Sequence, residues 1–333
     1  MVTNLLLTAS LLSSIPTNWN SNVEVRFRVV DDAGLIVSNA VISTNTQRDR
    51  LANLGHADSP QRKIIAITDT NGCARIEFPC YSGEFSSYVS AMGFYPEHKK
   101  NLRFNYARDS VFFAHLLEHE KHLSFTMRKK LNPIPCFGYG AGEDFPFPLK
   151  NGRFGFDMEK GSWVPPHGKG EIADFWIRYD ETSTNECAIL EFDGMFNGAY
   201  KQTQRPSTSF KSTYRADTNH VYTQRMTIWT WRREGNDIYQ SQFVSNDEYL
   251  VIRSRSVVDA EGNLKSCNYS KIYGGIFASE DFKFMTMVFN PKKNDANLEF
   301  DTRRNLRRKT SGILLPLGRR VLQDWVTCSD CLG

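Results

Sequence analysis

Long hydrophobic runs are what this 333-residue chain has least of. No stretch approaches the roughly 20 consecutive apolar residues that an α-helix needs to cross a bilayer, so no transmembrane segment is predicted. The nearest approach is Leu5-Leu-Leu-Thr-Ala-Ser-Leu-Leu12. It has the character of a signal-peptide core, although Met1–Asn4 carries no Lys or Arg and no Ala-x-Ala site follows. Residues 1–20 are therefore read as a signal segment or an N-terminal arm. The signal reading places the protein outside the cytoplasm, secreted or in the cell envelope.

A concentrated basic face is also missing. The net charge is only +4, and the main cationic run, Arg303 to Lys309, directly follows Asp295, Glu299 and Asp301. That run reads as a solvated strand end or loop, and no nucleic-acid partner is predicted. The seven cysteines are odd in number and widely spaced, which excludes the disulfide framework of a small secreted scaffold. Cys328-Ser-Asp-Cys331 has no second Cys-x-x-Cys to complete a zinc site. Gly168-Lys-Gly170 lacks the spacing of a phosphate loop, and no Gly-x-Ser-x-Gly elbow presents a serine nucleophile. No cofactor is predicted.

What the chain does have is aromatic residues: 23 Phe, 13 Tyr and 6 Trp, 13% of the total. They favour pleated, half-buried surfaces. Val23-Glu-Val-Arg-Phe-Arg-Val-Val30 alternates inward and outward side chains as a half-buried strand does. Asp31-Asp-Ala-Gly34 and Asp69-Thr-Asn-Gly72 are turns, with strands expected over 35–43, 64–68, 73–78 and 86–91. From Cys187 onward, strands are expected over 188–192, 221–231, 238–243, 249–257, 268–277 and 282–289. Arg233-Glu-Gly-Asn-Asp237 and Ala260-Glu-Gly-Asn263 are hairpin signals between them. The fold class that follows is all-β, in two domains.

Val25 to Gly34, Asn39-Ala-Val41, Thr68 to Ile76 and Gly93-Phe-Tyr95 together resemble the carboxypeptidase-regulatory-like (prealbumin-like) β-sandwich module. The resemblance implies a rigid accessory module over residues 21–120, without catalysis of its own. A larger antiparallel β-rich domain would then occupy 121–333. Asn132-Pro-Ile-Pro135, Gly155-Phe-Asp157, Trp163 to Gly170, Val258 to Asn263, Lys271-Ile-Tyr-Gly274 and Asn294 to Asp301 resemble motifs of an uncharacterised bacterial family of Lentisphaerae and Verrucomicrobia type. That resemblance carries no activity.

Several patterns are candidates for chemistry. His115-Leu-Leu-Glu-His119 fits the inverted zinc-protease pattern. On a helix, His115 and His119 would share one face as ligands and Glu118 would act as the base on a metal-bound water. The bland reading of the same residues is a polar connector. The loop Trp163-Val-Pro-Pro-His167-Gly-Lys-Gly170 reads either as a structural corner or as a stacking platform for sugar rings. Trp229 and Trp231 are two apart on one strand and face the same side, which makes them either core or a binding surface. Asp157, Glu159, Asp174, Glu191 and Asp193 supply carboxylates from which a hydrolytic pair could be drawn. Asn294 to Asp301 has oxygen donors suited to Ca²⁺ or to turns. The expected function is a non-catalytic binding or structural protein, with polysaccharide or a surface protein as partner and Trp163, His167, Trp229 and Trp231 as contacts. The competing expectation is a hydrolase using either the His115–His119 site or a carboxylate pair.

Overall fold

The computed structural model describes residues 22–46, 62–79, 84–103, 123–140, 143–205, 210–235, 237–278 and 281–307. They are almost entirely strand and loop, which makes the protein all-β. One short 3₁₀ turn, Thr302–Arg304, is the sole helical element among them. The chain divides into two compact units, one up to Lys130 and one from Leu131 onward.

The first unit contains β1 (Asn22–Asp31), β2 (Val41–Thr46), β3 (Arg62–Ile67), β4 (Cys73–Pro79), β5 (Glu84–Ser90), β6 (Glu97–Arg103) and β7 (Leu123–Met127). They form two sheets, in the orders β4-β1-β7 and β3-β2-β5-β6. Val25, Phe27 and Val29 of β1, Ile76 of β4 and Phe125 and Met127 of β7 meet Ile42 of β2 and Val89 of β5 in one apolar core. That is a two-sheet sandwich with inward positions alternating along each strand. Two expectations change here. Leu123–Met127, assigned from sequence to the second domain, pairs in parallel with β1 and belongs to the first unit. The strand expected over 35–43 begins only at Val41. Asn39 adopts φ +57, and Thr68 Oγ1 accepts from Ala40 N–H and donates to Val37 C=O, so the segment before β2 is tied down as irregular backbone.

The second unit contains β8 (Phe137–Gly140), β9 (Phe145–Pro146), β10 (Asn151–Asp157), β11 (Ser162–Trp163), β12 (Phe175–Glu181), β13 (Asn185–Glu191) and β14 (Gly198–Thr203). It continues with β15 (Arg225–Glu234), β16 (Asp237–Gln242), β17 (Glu248–Val258), β18 (Leu264–Tyr273), β19 (Phe277–Ala278), β20 (Asp281–Lys283) and β21 (Thr286–Phe289). A six-stranded sheet, β11-β10-β12-β13-β15-β16, faces a five-stranded sheet, β14-β17-β18-β21-β8, and β19-β20-β9 form a small third sheet. The shared core is unusually aromatic. Phe154, Phe156, Trp163, Phe175 and Tyr179 from the first sheet meet Leu250, Ile252, Ile272, Met287 and Phe289 from the second. The outer face of the five-stranded sheet carries a second cluster built on Tyr200, Tyr249, Val251 and Tyr269 and covered by Ala216, Tyr222, Ala296 and Leu298.

Both expected hairpins are present. Gly235 and Gly262 sit at φ +60 and +83, at the tips joining β15 to β16 and β17 to β18. Gly274 is required for a different reason: a Cβ there would lie 1.7 Å from Ser245 C=O, where the end of β18 crosses the turn into β17. Gly274→Ala therefore forces backbone apart and should cost about 2–3 kcal/mol. Urea denaturation measures this, and an unchanged midpoint would contradict the close approach.

Candidate functional site

The connection from Asp157 to Asp174, which contains the Trp163–Gly170 stretch, is organised by one arginine. Arg255 lies in a bulge of β17, where Ser254 and Val257 pair with Asn268 and Ser266, and it adopts φ +53. Its guanidinium donates to Asp174 Oδ1 and Oδ2 (2.9 and 3.0 Å), Asp157 Oδ1 (2.9 Å) and Glu159 Oε2 (2.6 Å). Asp157 accepts further from the N–H groups of Glu159, Lys160, Glu171 and Ile172. Asp174 accepts from Ser254 Oγ and Met158 N–H. Burial pushes the Asp174 carboxyl up, and the Arg255, Ser254 and Met158 donors oppose it. Every oxygen of Asp157 and Asp174 is thus engaged in holding backbone or Arg255, which leaves no lone pair aimed at a substrate. Of the five candidate carboxylates, Asp157, Glu159 and Asp174 form a structural clamp, while Glu191 and Asp193 pair with other arginines.

The loop hung on this clamp does not present its tryptophan. Trp163 is 6% exposed, donates its indole N–H to Pro146 C=O (2.8 Å) and packs against Phe147, Phe154, Phe156 and Phe282. A ring enclosed on all these sides has no face for a sugar, so the stacking role is corrected to a core role. Gly168 fits the same corner, since a Cβ there would meet Trp163 C=O at 2.3 Å. His167 is exposed, its ring edge-on to Phe154 at 5.3 Å, so the loop carries one accessible imidazole. The oxygens of Asn294, Asp295, Asn297 and Asp301 accept from the N–H groups of Cys267, Asn297, Glu299 and Arg303. Those are turn and splice bonds, and no group of His, Cys, Asp or Glu suited to a metal occurs among the described residues. His115, Glu118 and His119 lie outside the described residues.

Trp229 and Trp231 lead to a different place. The inner face of the six-stranded sheet runs in cross-strand rows, and Tyr179, Ala188, Trp229 and Gln242 make one of them. The next row outward is Glu181, Glu186, Trp231 and Gln240. Beyond it lie Arg233 and Ile238. Burial falls steeply across these rows. Trp229 is 7% exposed, Trp231 is half-buried, Gln240 and Arg233 are exposed, and Ile238 reaches 55%. The inner face is therefore covered at Trp229 and partly exposed at Trp231, which packs against the core on one side and forms a ledge at the sheet's end.

The ledge owes its position to a bulge. Ala188 pairs with Trp229 but Ile189 pairs with Thr227, so Ile228 is an extra residue in β15. Met226 points inward before it, Ile228 within it, and Trp229 and Trp231 after it. The arrangement supplies an aromatic face with polar neighbours. Glu181 Oε1 accepts from Lys150 Nζ (2.8 Å), Gln242 donates to Ile276 C=O (2.9 Å), and the Arg233 guanidinium stands 5.8 Å from the Trp231 ring centre. Phe277, 41% exposed, packs on Trp229 at 5.8 Å. The indole N–H of Trp229 is buried with no hydrogen-bond partner among the described residues. Glu181, Glu186, Gln240 and Phe277 escaped the sequence reading. Cross-strand alignment gathers them, and only the period-2 spacing of Trp229 and Trp231 hinted at the face.

No family model and no curated protein matches the chain. Among solved structures, wild-type Acinetobacter radioresistens catechol 1,2-dioxygenase is similar at 15% identity and a TM-score of 0.20. The match covers 33% of this chain and about half, 52%, of the dioxygenase. A "putative carbohydrate binding protein" from Bacteroides uniformis is similar at 8% identity and a TM-score of 0.18, over 80% of this chain and 97% of that one. Both neighbours are β-rich, and likenesses at this level do not bear on the site.

Arg255→Ala leaves three carboxylates without their shared cation and should destabilise the second unit by about 3–5 kcal/mol. Chemical denaturation followed by tryptophan fluorescence checks this, and a loss below about 1 kcal/mol would contradict the clamp.

Proposed function

We propose that this chain is a non-catalytic binding protein, exported or held in a bacterial cell envelope, that takes a polysaccharide or similar hydroxyl-rich polymer on the Trp231 ledge. In this reading the first unit is a rigid accessory module of the carboxypeptidase-regulatory-like kind. The observation that carries the proposal is the row Glu181–Glu186–Trp231–Gln240 at the open end of the inner face. A sugar ring offers an apolar face and a rim of hydroxyls. Trp231 supplies the complementary apolar face, and the carboxylates and amide supply acceptors and donors around it. The unpaired Trp229 N–H one row in is a further donor for a hydroxyl that reaches inward.

One observation favours a second reading. Glu181 and Glu186 stand directly opposite each other on neighbouring strands. Paired carboxylates beside a sugar-stacking ring are the minimum for glycoside hydrolysis. Under that reading Glu186→Gln retains polymer binding and loses reducing-sugar release, whereas under the binding reading no release occurs in either protein.

Affinity electrophoresis on polysaccharide gels tests the proposal. Trp231→Ala should abolish retardation at a stability cost below about 2 kcal/mol, and Gln240→Ala, at an exposed position, should weaken retardation with no stability change. Trp163→Ala should instead cost about 3–5 kcal/mol and leave retardation of the folded protein intact. Retardation that survives Trp231→Ala would remove the ledge from the account. Fractionation of the native host with determination of the mature N-terminus tests export, and an intact cytoplasmic chain starting at Met1 would contradict it.

A further inference from the structure

The opposite face of the same sheet carries a second arrangement that the ledge does not use. Arg153 of β10 and Arg178 of β12 are cross-strand neighbours, and Trp176 of β12, Glu191 of β13 and Arg225 of β15 form the adjacent row. Like charges placed directly opposite one another are unfavourable in a sheet unless an anion stands between them. Here Glu191 provides part of that anion. Its Oε2 accepts from Arg153 Nε (2.8 Å), and its Oε1 faces Arg178 Nε (3.2 Å) and Arg225 Nε (3.6 Å). Arg153 also reaches Asp193 (2.6 Å) and lies over the Trp176 ring at 4.3 Å, which fixes its plane.

Three guanidinium groups thus converge on Glu191, and Arg153 also holds Asp193. Partial burial alone would raise the Glu191 carboxyl, but hydrogen bonds from Arg153 and Arg178 hold it below its ordinary range, so it stays ionised at neutral pH. Arg178 hydrogen-bonds Glu191 through Nε, Arg225 approaches the same oxygen no closer than 3.6 Å, and neither guanidinium makes a further hydrogen bond among the described residues. Arg178 is 44% and Arg225 65% exposed at the side chain, so these donors face solvent. A planar fork of N–H donors, pre-set by a carboxylate behind it, matches an oxyanion in geometry as well as charge.

We infer that Arg178 and Arg225, positioned by Glu191 and Arg153, bind an oxyanion of the sulfate, phosphate or carboxylate class on the outer face of the six-stranded sheet. This site is independent of the Trp231 ledge, which lies on the inner face.

Calorimetric titration of the full chain at constant ionic strength tests it, with sodium sulfate, sodium phosphate and a short oligogalacturonate as separate probes. Binding heat is preferred to thermal shift because sulfate stabilises proteins generally by exclusion. Saturable binding is expected for at least one probe. A response to the inorganic ions identifies a free-anion site, and a response to the oligogalacturonate alone identifies an acidic polymer. Arg178→Gln/Arg225→Gln should weaken binding at least about tenfold while leaving Trp231-dependent retardation on polysaccharide gels unchanged. Arg225→Gln alone, at the more exposed position, serves if the double variant fails to fold. Absence of saturable binding for all three probes, or unchanged affinity in the variants, would overturn the inference.

Discussion

Arg255 reaches from the five-stranded sheet into the connection leaving the six-stranded sheet, and its guanidinium is shared by Asp157, Asp174 and Glu159. A buried charge is costly unless it is paired and hydrogen-bonded on every side. That condition is met here from both directions: the arginine satisfies the carboxylates, and their remaining oxygens collect N–H groups from residues 158–172. The clamp therefore fixes the spacing of two sheets and the path of the loop carrying Trp163. With that path set, Trp163 has one place to go, the aromatic core beside Phe154 and Phe156.

The clamp also determines where the sandwich opens. Asp157 ends β10 and Asp174 immediately precedes β12, whereas Glu181 ends β12 seven residues further along. At about 3.3 Å per residue the ledge stands about 23 Å from the clamp along the strand. The layers are tied at the clamp, and the inner face grows more exposed towards Trp231 and Ile238. Trp163 beside the clamp is buried, whereas Trp231, far from it, is only partly buried against the same core. The two faces of the six-stranded sheet differ as well, apolar and aromatic within, and arginine-rich around Glu191 without.

Much of this was legible from residue order, and what was missed has a physical cause. Alternation along β1 and the Gly-bearing turns at Gly235 and Gly262 report local geometry, so strands and hairpins could be read from them. The spacing of Trp229 and Trp231 placed both on one face for the same reason. The bulge at Ile228, which makes that face the inner one for both tryptophans, depends on pairing with β13 and leaves no local signature. Trp163 opens a Pro- and Gly-rich stretch that could be a corner or a platform, and the partners that bury it, Pro146, Phe147, Phe154, Phe156 and Phe282, include one more than a hundred residues away. The oxygen-rich Asn294–Asp301 segment offered a cation reading beside the turn reading, and its hydrogen bonds to Cys267, Leu131 and Asn132 are contacts over long sequence distances.

The central claim is that the open end of the inner face is where a polymer is bound. The most direct measurement is the indole N–H region of a ¹H–¹⁵N spectrum recorded while a soluble oligosaccharide is titrated in. The account predicts progressive, saturable shifts of the Trp231 and Trp229 resonances while that of Trp163, hydrogen-bonded to Pro146 in the core, stays fixed. Shifts confined to Trp163 or Trp176, with Trp231 and Trp229 unmoved at saturation, would contradict it.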